Sequence, residues 1–141
     1  MLLSSSTPHF ENAAGTLARH PAGYLRLNFA PGLWQVAELA ELLLLGEELM
    51  VAHGWRYVLT DARQLDVFTL EVMHWLRYEW LMRGKSRPSN IIKAVVVPIS
   101  FAACEAIGLL REHAPALTRY TYFGTETDAH NYLVSLLSMR S

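Results

Sequence analysis

Several absences narrow the reading of this chain. It holds a single cysteine, Cys104, so no internal disulfide framework is possible, which suits a reducing compartment. Charged residues make up only 18%, and 12 bases against 13 acids leave a net charge of −1 with no basic patch; a nucleic-acid partner has no electrostatic footing. The longest strongly apolar stretch, Leu39 to Leu45, is interrupted by Glu41 and then Gly46, too short to span a bilayer. The opening MLLSSSTPHF has no basic start and no long apolar core, so no secretory leader and a cytoplasmic location are expected. Phosphate-cradling glycine loops and the GxSxG elbow are missing. The six histidines, at 9, 20, 53, 74, 113 and 130, form no closely spaced zinc pair. Cys104 lies in the apolar run FAACEAI, which suits an inert thiol. Asp61 and Asp66 have the residue type for Mg²⁺, but turn-capping is the commoner role. No catalytic residue, metal or cofactor is therefore expected.

What is present is a core. Apolar residues reach 52% over 141 residues, enough for one domain. Residues 1–14 read as a flexible Ser/Thr/Pro-rich arm and 15–141 as the domain. Thr16–His20 and Gly23–Phe29 flank a turn, and Tyr24, Arg26 and Asn28 alternate with Leu25, Leu27 and Phe29, the period of a half-buried hairpin strand. Trp34–His53 repeats at helical spacing and stops at Gly54. Tyr57–Leu59 and Ile91–Val97 are continuous apolar runs, the latter broken only by Lys93, as expected of strands covered on both faces. Thr118–Phe123 alternates, and Thr125–Asp128 opens a last helix. A helix at Phe101–His113 separates these last two strands. The order β-β-α-β-α-β-α-β-α implies an α/β fold with a mostly parallel sheet and right-handed crossovers. Binding in such sheets gathers at the strands' carboxyl ends.

Thr69–Arg83 is the unusual segment. As an α-helix it places Leu70, Val72, Met73, Leu76, Trp80 and Leu81 on a stripe toward the sheet. Trp75, Tyr78 and Met82 fall on a second stripe roughly opposite, a candidate interaction surface because these residue types are enriched at interfaces. Thr69 is its expected N-cap.

From Thr16 to Leu137 the order of elements resembles the STAS-like domain, the fold of bacterial anti-sigma-factor antagonists. The resemblance rests on YVLTDARQLDVFTLEVM (Tyr57–Met73), placed like that family's D-S-S-G-L strand, loop and helix, and on the ending Tyr122–Leu133. Asp66 takes the Asp position, Thr69 the Gly position and Leu70 the Leu position. Val67 and Phe68 stand where the switch proteins carry serines, so the phosphorylation switch is expected to be missing. The resemblance implies a non-catalytic regulatory module that binds a protein partner or itself, as a homodimer, through Asp66, Thr69, Trp75, Tyr78 and Met82. The outline is also similar to Sec14-type lipid-binding domains. That likeness implies an alternative: a small apolar ligand held among Phe68, Met73, Trp80 and Phe101.

Overall fold

A computed structural model describes residues 8–66, 68–80, 90–99, 103–105 and 118–139. The chain is α/β, with a mixed six-stranded sheet whose spatial order is the chain order. β1 (Pro8–Asn12), β2 (Gly15–Arg19) and β3 (Leu25–Phe29) form an antiparallel meander. β4 (Tyr57–Asp61), β5 (Ile91–Val96) and β6 (Thr118–Phe123) continue from β3 in parallel.

One expectation fails at the start. Residues 8–14, read as part of a flexible arm, supply β1 and the fully buried Ala14. An edge strand is held by backbone pairing, so it needs no apolar alternation of its own. The β1–β2 turn depends on Gly15, where a Cβ would stand 2.0 Å from the carbonyl oxygen of Asn28. Only a residue without a side chain permits that approach.

The strand periodicity assigns the two faces. Leu25, Leu27, Val58, Ile91 and Val95 belong to one core cluster with Leu39, Leu42 and Met50 of helix α1 (Val36–His53) and Val72 of helix α2 (Leu70–Trp75). Ala103, in a short helical stretch, is buried in the same cluster. Right-handed crossovers between successive parallel strands require their helices on one side in this way. Tyr24, Tyr57, Leu59, Ala94 and Val96 face the other side, covered by Ala129 and Leu133 of the last helix, α3 (Glu126–Met139). α1 opens on a capping box between Gln35 and Glu38 and ends at Gly54 with φ 67°, the left-handed cap expected from sequence.

α2 departs from the expected α-helix. It passes at Leu76 into a π-helical turn, Leu76–Trp80, in which each hydrogen bond spans one residue more than in an α-helix. Residues 75 and 80 would stand about 140° apart around an α-helix. Here the wider turn brings them to one side, and their indoles stack at 5.7 Å. Trp75 is therefore packed against the main core cluster and is not opposite the sheet-facing stripe. Val72, Leu76 and Trp80 are buried as expected, but Leu70 is 88% exposed. It is the first residue of α2 and lies beyond the edge of the sheet-facing stripe.

Candidate functional site

Two features stand out, a charged cluster on one face of the sheet and a hollow on the other. The first lies at the carboxyl end of β4 on the α3 side. Asp61 closes that strand and is buried. Its Oδ1 accepts from the Arg63 backbone N–H at 3.2 Å and from Arg63 Nε at 2.9 Å, and its Oδ2 accepts from Arg63 Nη2 at 2.6 Å and Arg26 Nη2 at 3.1 Å. Arg26, on the adjacent β3, donates through its other Nη to Glu126 in the first turn of α3, and Arg63 reaches the same carboxylate at 3.0 Å. Two arginines and two acids thus tie β3, β4 and the start of α3 together. Burial alone would raise the Asp61 pKa, but the hydrogen bonds and charge of Arg63, with Arg26 behind them, hold it below its ordinary value. Each oxygen of Asp61 is engaged by arginine, so the carboxylate acts as a structural clamp.

Beside this clamp, the Tyr24 hydroxyl meets His130 Nδ1 at 2.8 Å, and His20 stacks on the Tyr24 ring at 4.6 Å. Burial pushes Tyr24 up to about 12. Burial, then the neighbouring His130 and Arg26, lowers His20, with Glu126 opposing them.

These shifts predict an acid response. His20 titrates below its ordinary 6.5 when folded, so its contribution is whole above that pH and lost as the pH falls toward the folded value. Asp61 behaves alike below its ordinary 3.8. Stability measured by urea unfolding should therefore fall in two separate windows on acidification. His20→Gln should flatten the upper window and leave the lower; an unchanged upper slope would show that His20 does not set it.

The second feature is a partly open hollow of about 110 Å³ between the sheet and the α1–α2 layer. Leu27, Phe29, Leu39, Leu65, Leu76 and Val95 make it largely apolar, Phe68 and Trp80 flank it, and Thr60, Lys93, Tyr120 and Tyr122 bring polar atoms. A second, smaller hollow of about 40 Å³ adjoins it and shares Leu27, Leu43, Trp80 and Lys93.

The residues singled out in the sequence divide between this hollow and the surface. Phe68 and Trp80 line the hollow, whereas Met73 is half-buried elsewhere on α2 and Phe101 lies outside the described residues. Asp66 is exposed, and its carboxylate accepts from the Gly32 N–H at 2.7 Å, bracing the β4–α2 loop against the β3–α1 loop. Thr69 is the N-cap of α2, its hydroxyl accepting from the Val72 N–H at 3.2 Å. Trp75 shares a shallow groove with Val36, Leu70 and His74. Tyr78 is 57% exposed; Met82 and Val67 lie outside the described residues. Cys104 donates to the Pro98 carbonyl at 3.2 Å. Among the described residues no cluster of acids, histidines or cysteine has the makings of a metal site, and no helix is long and apolar enough to cross a membrane. Asp61 stands out in the sequence as a carboxylate at a strand end, but no local pattern there joins it to Arg26, Arg63 and Glu126, and Thr60 carries no signal. Lys93 was visible there as the one charge inside an apolar strand.

No family model, curated protein or solved structure matches the chain.

Proposed function

We propose that the chain is a non-catalytic binding module that takes a small apolar molecule in the hollow beside Trp80. The observation carrying this reading is the hollow itself: space between packed layers, walled by aliphatic and aromatic side chains with a few polar atoms turned to it. Such a combination is the usual make-up of a ligand pocket. Its volume refines the alternative drawn from the Sec14 likeness. An engineered apolar cavity of about 150 Å³ holds benzene, while drug-sized ligands need about 300 Å³ or more. A whole lipid is thus too large, and the expected occupant is a benzene-sized molecule or one end of a longer one. Saturation with a benzene-sized probe should raise the melting temperature, since binding at a hundred times Kd stabilises by about 2.7 kcal/mol. Amide and methyl NMR shifts should centre on Leu27, Thr60 and Val95. Shifts scattered over the surface, with no stabilisation, would defeat the proposal.

A specific observation also favours the STAS-like reading of self-association. Leu70 and Leu33, 88% and 71% exposed, lie at the same edge as Asp66, and Leu70 shares its groove with Trp75. Exposed leucines beside an indole have the chemistry of a homodimer contact. Sedimentation should then show a dimer that Leu70→Asp converts to monomer; a wild-type monomer at high concentration would rule this surface out.

A further inference from the structure

Lys93 stands in the middle of β5, between Ile91 and Val95 on the face turned to α1 and α2. Its side chain is half-buried, and an ammonium drawn off the open surface is stabilised by a carboxylate. Among the described residues none lies within ion-pair distance, and the contact it does make is with the Tyr120 ring, 5.5 Å from the ring centre. Glu47 lines the adjoining smaller hollow together with Lys93.

The parallel register supplies the second observation. Val58, Lys93 and Tyr120 form one cross-strand row, and Thr60, Val95 and Tyr122 form the next. Thr60 is therefore the diagonal neighbour of Lys93 on the same face. It is only 7% exposed, and its Oγ1 is fully buried with no hydrogen-bond partner. A buried hydroxyl left unsatisfied costs about 1–3 kcal/mol. Both residues line the hollow. One wall thus carries a cation that has no carboxylate partner among the described residues, and an unused hydroxyl, over a floor made by Leu27 and Val95.

We infer that the hollow is built for a small monocarboxylic acid, its carboxylate set between the Lys93 ammonium and the Thr60 hydroxyl and its short tail against Leu27, Leu76 and Trp80. The donors match the charge: one ammonium answers a single negative charge, and the hydroxyl answers the second carboxylate oxygen. The volume limits the tail, because about six non-hydrogen atoms fit a cavity of benzene size. This inference rests on the reading of the hollow as a ligand site, and the test separates the two.

Pentanoate, 1-pentanol and pentylammonium would each be titrated into the full chain, followed by NMR at Thr60, Val95 and Tyr122. Pentanoate should bind most tightly and pentylammonium not at all. Lys93→Met, which keeps the stem and removes the charge, should weaken pentanoate roughly tenfold or more while leaving pentanol within about twofold. Thr60→Val should weaken pentanoate severalfold, and it carries the test if Lys93→Met does not fold. Equal binding of acid and alcohol, indifferent to both substitutions, would overturn the carboxylate assignment and leave the apolar pocket standing. No binding of any probe to the folded protein would overturn both.

Discussion

Replacing Asp61 with alanine should lower the unfolding free energy by about 2–4 kcal/mol, because it leaves a guanidinium confined without its carboxylate. Arg26 is mostly buried and would keep only Glu126, while Arg63 is half-exposed and can turn to water. The two arginines should consequently respond differently. Arg63→Ala leaves Asp61 held by Arg26 alone, but water can enter on the exposed side that Arg63 occupied, so it should cost about 1–2 kcal/mol, less than the loss of Asp61 itself. Urea midpoints at neutral pH measure both, provided the slope with denaturant stays constant. If Asp61→Ala cost no more than Arg63→Ala, the clamp would have no stabilising role. Hydrogen exchange gives a second readout, since the first turn of α3 should open earlier in the Asp61 variant than in the wild type.

Trp80→Ala should cost about 3–5 kcal/mol, the range for truncating a buried aromatic residue. Trp80 is buried between Leu76 and the sheet, borders both hollows and supports the stacked Trp75 ring. Its removal should merge the two hollows and abolish the circular-dichroism signal of the coupled indoles. Indole added to the variant should recover part of the lost melting temperature by refilling the space, as ligands stabilise any state that binds them. Trp80→Phe keeps most of the volume and should cost much less. A Trp80→Ala protein as stable as wild type, with no response to indole, would mean that the layers close over the gap.

The parallel strands were legible because a strand covered on both faces must be apolar almost throughout, and Tyr57–Leu59 and Ile91–Val96 are. The final helix was legible for a related reason: Ala129 and Leu133 repeat at the spacing that one covered face demands. β1 escaped because its hold is the backbone pairing with β2, which PHFEN does not announce. The π-turn has no sequence signature, and α-helical angles do not hold past Leu76; that one wider turn sets Trp75 in a stack on Trp80 and not on the outer stripe. In the candidate sites the limit was distance along the chain. Asp61 and Arg26 are 35 positions apart, and Arg26 and Glu126 are 100 apart. No local pattern connects them. Lys93 could be seen as an oddity, yet its meaning depends on the register that sets Thr60 and Tyr120 beside it.

Because the six strands lie side by side in the order in which they occur along the chain, no strand has to be threaded between two that are already paired. As the chain leaves the ribosome, the meander of β1 to β3 has everything it needs to assemble first, and each later strand then docks on an open edge already waiting for it. Pairing therefore stays between consecutive strands; the meander closes short loops quickly, while the parallel pairings must close crossover connections and are the slower steps. The bond from Arg26 to Glu126 can form only after β6 has emerged, and it seals the far face. Assembly is vectorial, and its latch comes last.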